Sequence, residues 1–165
     1  MGDGQSLPYP DQSFDGGYSQ HVTMNVSDRE RFFAEAFRVL RPGAFFALTE
    51  HGLGDNGPPH HPVPWSNDGT HEYLMRPDGT VTNLRLAGFD SIEVTETGEE
   101  YLQGYRKVIA IAERGELPPL GVHILLGEAA LAKTMNAARN IEEGRTKPVQ
   151  IICRKPVRGP TAVAP

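Results

Sequence analysis

The sequence has little of several features that define other classes of protein. It contains one cysteine and one tryptophan, and its formal net charge is -5. It has no run of lysine and arginine, which argues against nucleic acid or an anionic membrane as the main partner. Its apolar runs are short, and no charged head precedes an apolar segment at the start, so we expect neither a membrane span nor a signal peptide.

The single cysteine, Cys153, lies in the strand-like run at residues 149–153. One cysteine cannot form an internal disulfide, and an apolar setting favours a buried, inert thiol over a reactive one. With 38% hydrophobic and 22% charged residues, the 165 residues are typical of one globular domain with a sizeable core. These features favour a cytoplasmic protein.

Local patterns predict four strands and four helices. Ser27 and Glu30 form a capping box, aromatic residues then recur at helical spacing, and Pro42 with Gly43 ends the first helix. Together with the flanking strands this helix makes a βαβ unit. The predicted strands are residues 14–20, 44–49, 92–94 and 149–153, and the predicted helices are residues 27–40, 80–87, 99–114 and 128–143.

Three further segments have distinct composition. Residues 44–49 are continuously apolar, which predicts a strand buried on both faces. Residues 52–79 are rich in glycine and proline and show no period, and such a long irregular stretch is usually functional or mobile. The end of the chain has no core pattern, so we expect a domain over residues 1–156 and a disordered tail over residues 157–165.

Two motifs resemble the middle of a methyltransferase domain that uses S-adenosylmethionine. The first is LPYPDQSFD at residues 7–15, and the second is RVLRPG at residues 38–43. The turn at residues 2–4 is similar to the turn of that family that contacts adenine. The resemblance extends from Gly2 to about Pro156.

The resemblance implies an α/β fold class with a partial Rossmann-like methyltransferase sheet. The predicted strands and flanking helices match the second half of the family's seven-stranded sheet. The glycine-rich cofactor loop of the first half has no counterpart in residues 1–165. We therefore expect the C-terminal half of a class I domain, as a truncated frame, a fragment or one half of a split enzyme, which is inactive by itself.

The resemblance also implies S-adenosylmethionine as the cofactor and names candidate contacts for it. Asp3, Gly4 and Gln5 match the adenine-contacting turn. Ser19 and Gln20 follow the first strand and would lie near the amino-acid end of the cofactor, because ligands of open α/β sheets bind beyond the carboxyl ends of strands. The alternative for these positions is a polar strand end that faces solvent.

Candidate contacts to a small-molecule substrate follow the same two strands. His21 follows the first, and Glu50 and His51 end the second. Trp65 lies in HHPVPWS at residues 60–66, which resembles an element over the substrate pocket of sarcosine and dimethylglycine type N-methyltransferases. An indole face attracts a methylated ammonium; alternatively, Trp65 anchors the loop to the core. Methyl transfer to an amine needs mainly alignment and desolvation, so we assign no catalytic base.

His51 and the histidines of the irregular segment do not predict a metal site. Their spacing does not fit a standard ligand pattern, and no cysteine partner is near. Proline flanks the adjacent pair His60 and His61. A surface loop is therefore the expected setting. The histidines concerned are His51, His60, His61 and His71.

Two functions remain open from the sequence. The first is methyl transfer to a small amine by the intact enzyme, and the second is a non-catalytic module that binds a small molecule or a partner chain. In both, the strand at residues 14–20 is expected to have an open edge, and the helix face with Phe32, Phe33 and Phe37 to be uncovered. Such surfaces predict a homodimer, a larger assembly or a complex with a complementing N-terminal half.

Overall fold

The computed structural model describes residues 2–157 and confirms the α/β class with all four predicted strands. Residues 158–165 of the predicted tail lie outside the described residues. The strands are β1 (Phe14–Gln20), β2 (Leu40–Leu53), β3 (Asp90–Glu96) and β4 (Thr146–Arg154). The α-helices are α1 (Arg29–Val39), α2 (Pro77–Ala87), α3 (Gly98–Glu113), α4 (Val122–Leu126) and α5 (Ala130–Glu142), with 3-10 turns at Thr23–Asn25 and Gly127–Ala129.

The four strands form one mixed sheet in the order β1-β2-β4-β3. β1 and β2 are parallel and are connected through α1, whereas β4 is antiparallel to both β2 and β3. Gln20 pairs with Thr49, and Thr49 pairs with Gln150, so the carboxyl ends of β1 and β2 lie side by side. Among residues 2–157, β1 has β2 as its only sheet neighbour, and its outer edge is open.

Helix α1 begins one residue later than the predicted capping box. Asp28, and not Ser27, is the N-cap, because its carboxylate accepts the Arg31 N–H at 3.0 Å. A carboxylate is favoured there because it also faces the positive end of the helix dipole. The helix ends at Val39, since Leu40 already has extended backbone angles and starts β2 without a loop.

The core lies between α1, α2 and one face of the sheet. The aromatic face of α1 belongs to it: Phe33 is 0% exposed, and Phe32 and Phe37 pack against the cluster. The expectation that this face is uncovered is therefore wrong, because α2 and the sheet enclose it. The fully or nearly fully buried core members are Phe33, Ala36, Leu40, Ala44, Phe46, Leu48, Leu84, Phe89, Val149, Ile151 and Cys153.

Cys153 has the buried setting that its sequence context predicts. Its side chain is 0% exposed, and burial, followed by the charge of Asp90, raises the pKa of the thiol to about 12. A thiol with so high a pKa carries almost no thiolate at neutral pH and is a poor nucleophile.

The opposite face of the sheet is covered at one end only. Helices α3 and α5 pack on each other and on β4. Away from these two helices the same face is exposed: Tyr18 is 81% exposed, Phe45 is 44% exposed and Ile152 is 37% exposed. The register places these side chains on one face. The prediction of a strand buried on both faces is therefore wrong for Phe45, which none of the described helices covers.

The segment between β2 and α2, residues 54–76, contains neither an α-helix nor an extended strand. It is nevertheless held at both ends. The Gly54 N–H donates to Arg145 O at 2.8 Å, and the Tyr73 N–H donates to Met24 O at 2.7 Å. The predicted irregular segment is thus present, and its backbone is fixed to the rest of the fold.

The region between α3 and α5 differs from the sequence prediction. The helix predicted at residues 128–143 begins at Ala130, after a 3-10 turn, and the short helix α4 precedes it. Helix α4 presents apolar side chains outward, with Val122 66% exposed and Leu125 87% exposed. None of the helices among residues 2–157 is long and apolar enough to cross a membrane.

Candidate functional site

The carboxyl ends of β1 and β2 bring His21 and His51 together. Their ring centroids are 5.6 Å apart. His21 has a left-handed backbone, with φ of +52°, and its N–H donates to Thr49 O at 2.9 Å. A non-glycine residue at positive φ is strained, and such residues concentrate at functional sites.

Helix α3 adds two tyrosines, Tyr101 and Tyr105, which lie one turn apart. The Tyr101 hydroxyl is 2.7 Å from His21 Nε2, and the Tyr105 hydroxyl is 3.1 Å from His51 Nε2. Sequence patterns predict neither tyrosine as a site residue. Tyr105 belongs to the apolar face of the predicted helix, and Tyr101 has no neighbouring motif. The sequence signal that could have identified them is a tyrosine on a helix face that packs on the fold, because a partly buried phenol hydroxyl needs a hydrogen-bond partner.

Trp65 completes the group that we call the aromatic cluster: His21, His51, Trp65, Tyr101 and Tyr105. Its ring stacks on His51 with centroids 4.5 Å apart and an angle of 26°. Its Nε1 donates to Glu72 at 2.7 Å, and its carbonyl oxygen accepts from Asn25 Nδ2 at 3.0 Å. Trp65 therefore anchors the irregular segment and also lines the cluster. These contacts are compatible with both predictions for Trp65, a loop anchor and a face for a methylated ammonium.

The histidines and tyrosines of the aromatic cluster are neutral at physiological pH. Burial, and secondarily the charge of His21, lowers the pKa of His51 to about 3. Burial also lowers the pKa of His21 and raises the pKa of Tyr101 and of Tyr105. The cluster thus offers polar contacts and aromatic faces without a cation of its own.

Glu50 faces the other side of the sheet from His51. Adjacent strand residues point to opposite faces, and Glu50 is 1% exposed among α1, α2 and the 3-10 turn. Its carboxylate pairs with Arg29 and accepts from Thr23 Oγ1 at 2.5 Å and from Thr80 Oγ1 at 2.6 Å. The structure therefore separates Glu50 from the other three predicted substrate contacts, which it brings together.

Ser19 and Gln20 lie beside a shallow depression of about 110 Å³ on the sheet. Gln20, Thr49 and Gln150 line it as one row across three strands, on the face that bears His51. Ser19 is buried, and its Oγ has no hydrogen-bond partner among residues 2–157. Ser19 pairs with Leu48, so its hydroxyl points to the opposite face of the sheet, the face of Glu50.

Asp3, Gly4 and Gln5 form a turn on α1, away from the aromatic cluster. Asp3 Oδ1 accepts the Gln5 N–H at 2.9 Å, and Gln5 O accepts from Arg31 Nε at 2.9 Å. Gly4 lies so close to Phe32 that a Cβ would meet its ring at 2.8 Å. The turn is thus fixed to the helix, and the exposed Asp3 carboxylate keeps one oxygen for a ligand.

Two histidines of the irregular segment, His60 and His61, pair with carboxylates. His60 Nε2 is 2.8 Å from Glu143, and His61 Nε2 is 2.6 Å from Glu72. Within residues 2–157, no three His, Cys, Asp or Glu side chains are grouped so that they could hold a metal ion.

Comparison with known sequences finds methyltransferases. The family described as Methyltransferase domain matches residues 1–48. A sterol 24-C-methyltransferase from Aspergillus fumigatus is 31% identical over 96 residues, which are 54% of this chain and 25% of that protein. An O-methyltransferase from Penicillium expansum is 33% identical over 98 residues, which are 59% of this chain and 35% of that protein.

Solved structures share the fold over most of the chain. The phosphoethanolamine N-methyltransferase 2 of Haemonchus contortus, in complex with phosphomonomethylethanolamine and S-adenosylhomocysteine, matches with a TM-score of 0.75 at 16% identity, over 93% of this chain and 36% of that one. A protein assigned as a sarcosine dimethylglycine methyltransferase from Galdieria sulphuraria matches with a TM-score of 0.71 at 17% identity, over 94% of this chain and 58% of that one. The chain therefore spans a third to just over half of these proteins. It has the fold of S-adenosylmethionine-dependent methyltransferases, and its first 48 residues match their domain.

Proposed function

We propose that this chain forms the acceptor side, and part of the cofactor side, of an S-adenosylmethionine-dependent methyltransferase that acts on a small amine. The aromatic cluster is the observation that carries this proposal. It lies at the carboxyl ends of two parallel strands, where α/β sheets bind ligands. It combines an indole face with neutral imidazoles that do not repel an ammonium.

The cofactor residues that we propose are Asp3, Gly4, Gln5, Ser19 and Gln20. The exposed oxygen of Asp3 suits the adenine amino group, and the Gln20 amide, which lines the depression at the end of β1 beside Ser19, suits the polar amino-acid end. When bound, S-adenosylmethionine supplies an electrophilic methyl group on its sulfonium. The protein residues then need to hold the amine in line and to exclude water, since alignment and desolvation account for much of such a rate enhancement.

Trp65 and His21 are proposed to hold the acceptor. Trp65 presents its indole ring within the cluster, and its Nε1 bond to the buried Glu72 carboxylate keeps that ring oriented. His21 Nε2 is bound to Tyr101, which fixes the imidazole next to the end of β1. We propose a supporting role for Glu50: its internal ion pair with Arg29 holds β2 against α1 while His51 faces the ligand.

We also propose that S-adenosylmethionine binds weakly to this chain by itself. Residues 1–165 contain no glycine-rich turn between a strand and a helix, which is the usual cradle for the rest of such a cofactor. A complementing segment or a second copy would add these contacts. Calorimetric titration with S-adenosylhomocysteine is expected to give a dissociation constant weaker than micromolar; a tight site in each chain would contradict this part.

A fusion protein tests the activity itself. Residues 1–156 replace the matching part of the Galdieria sulphuraria protein, and transfer of labelled methyl groups to a panel of small amines is measured. We expect transfer by the fusion and less transfer by its Trp65→Leu variant. A folded fusion that binds S-adenosylmethionine but methylates no amine would contradict the proposed function.

The second candidate is a non-catalytic module that assembles through its open edge. The observation that favours it is the exposed strand β1, with Tyr18 81% exposed beside an unpaired backbone edge. Such an edge pairs readily with another chain. Self-association is compatible with both functions, and only the fusion assay separates them.

A further inference from the structure

His51 is enclosed by aromatic rings and is 2% exposed. It stacks on Trp65 at 4.5 Å and on Tyr105 at 6.2 Å, and the Tyr101 ring lies at 5.2 Å with an interplanar angle of 69°. Three aromatic rings thus border the imidazole. Its polar contacts therefore depend on its two in-plane nitrogens.

The two nitrogens of His51 differ in their partners. Nε2 lies 3.1 Å from the Tyr105 hydroxyl. Nδ1 is fully buried, and no hydrogen-bond partner for it exists in the part of the chain that the structure describes. Buried polar atoms in native proteins are nearly always paired, because an unpaired one opposes folding. The Nδ1 atom therefore requires an explanation.

The bond to Tyr105 decides which nitrogen carries the proton. Burial raises the pKa of Tyr105 and lowers that of His51 to about 3, so a phenol faces a neutral imidazole. A phenol O–H is a stronger donor than an imidazole N–H, so we assign the Tyr105 O–H as the donor to Nε2. A neutral imidazole has one acceptor nitrogen and one N–H, so the proton is on Nδ1. The unpaired atom is therefore a hydrogen-bond donor.

We infer that His51 Nδ1–H donates to an oxygen acceptor on the substrate and that Tyr105 is the positioning residue that fixes this tautomer. The inference rests on the proposed function, in which Trp65 contacts the amine end of the same ligand. It narrows the substrate class to small amines that carry a hydroxyl, carbonyl or carboxylate oxygen near the nitrogen. A hydrocarbon amine would leave the buried donor unpaired, and sites of this kind discriminate against such analogues.

Histidine-selective ¹⁵N NMR on the full chain tests the tautomer without a cofactor. We expect His51 to carry its proton on Nδ1 and Tyr105→Phe to shift it toward the Nε2–H form. Tyr101→Phe is the matched control, because it removes the partner of His21 and leaves the His51 tautomer unchanged. A wild-type His51 protonated on Nε2, or a tautomer that Tyr105→Phe does not change, would overturn the inference.

Two amines of similar size and charge test the ligand. Wild-type chain is titrated with 2-(dimethylamino)ethanol and with N,N-dimethylpropylamine, which has a methyl group in place of the hydroxyl. The alcohol is expected to bind about tenfold more tightly and to shift the His51 Nδ1 resonance. Equal binding without that shift overturns the inference and leaves amine binding by Trp65 in place.

The remaining outcomes separate the inference from the proposed function. If neither amine binds, both the inference and the proposed acceptor site are wrong. If the alcohol is selected as expected but the fusion protein transfers no methyl group, the proposed function fails while the role of His51 as an oxygen-binding donor stands.

Discussion

Glu50 and His51 are neighbours on β2, yet their surroundings differ. Each carboxylate oxygen of Glu50 accepts a hydrogen bond from a buried donor on the side of α1 and α2. On the side of α3, one nitrogen of His51 is bound and the other is unpaired among residues 2–157. The Glu50 carboxylate is fully paired, although Arg29 Nε on the same face has no partner among residues 2–157. The contrast therefore lies between the buried ion pair of Glu50 and the aromatic setting of His51 at the strand ends, where α/β sheets bind ligands. One strand thus separates a stabilising network from a candidate ligand site.

The largest effect is expected on the Glu50 side. Arg29→Met leaves the Glu50 carboxylate buried without its cation, which costs about 3–5 kcal/mol of unfolding free energy. Urea denaturation measures this loss. Arg41→Met is the matched control, because it breaks the exposed pair with Asp15, and it should cost at most about 1 kcal/mol. Equal losses of unfolding free energy in the two variants would show that the buried pair of Glu50 stabilises the fold no more than an exposed pair does.

Much of the fold is predictable from local sequence patterns. Helical periodicity and glycine caps lie within one segment, which is why α1, α2, α3, α5 and the four strands agree with the sequence within a few residues. The N-cap of α1 is off by one residue because Ser27 and Asp28 both suit the role. Helix α4 has no such signal, since it is five residues long and exposed.

The candidate site is only partly predictable. Strand ends identify His21, Glu50 and His51, but which face meets α3 is decided by packing. Tyr101 escapes notice because its partner His21 is 80 residues away in sequence. Side-chain alternation separates Glu50 from His51 in principle, yet only the buried Arg29 shows which of them has a structural partner.

The pH dependence of stability sharpens the view of His51. Its folded pKa is about 3 against an ordinary value of 6.5, so between these values the unfolded chain binds a proton that the folded chain does not. The contribution of neutral His51 is therefore present above pH 6.5 and is lost as the pH falls toward 3. The His51→Asn variant lacks this titration. As the pH falls, the unfolding free energy of the variant should therefore decrease less steeply than that of the wild type, with the two slopes differing by about 1.4 kcal/mol per pH unit. Urea denaturation at pH 7 and at pH 5 measures both proteins. If the unfolding free energy of the wild type and of the variant falls by the same amount between these pH values, His51 is not a buried neutral imidazole.

Trp65 variants separate its anchoring role from its ligand contact. Trp65→Leu removes the aromatic face, worth about 0.5–2 kcal/mol toward a cation, so 2-(dimethylamino)ethanol should bind about twofold to thirtyfold more weakly. Trp65→Phe keeps a face but loses the Nε1 bond to Glu72, and it should keep most of the affinity. Calorimetry compares the two. Equal losses in both variants would show that Trp65 acts only as a loop anchor.

The smallest energetic change is expected at the open edge of β1. Light scattering coupled to size exclusion should give twice the chain mass of 18.1 kDa for the wild type. Tyr18→Lys places a charge on the exposed edge and should yield monomer with little change in unfolding free energy. Leu86→Lys, at a site 73% exposed on α2, is the control and should remain a dimer. A wild-type monomer across micromolar concentrations would exclude edge-mediated assembly.

The contrast between the two faces can be measured with two side-chain N–H groups in one ¹⁵N spectrum. Trp65 is the only tryptophan, so its Nε1–H is identified directly, and the buried Nε–H of Arg29 reports on the Glu50 face. S-adenosylhomocysteine and 2-(dimethylamino)ethanol are added together at millimolar concentration. The Trp65 resonance is predicted to shift while that of Arg29 stays in place; a shift at Arg29 with none at Trp65 would contradict the assignment of the ligand site to the His51 face.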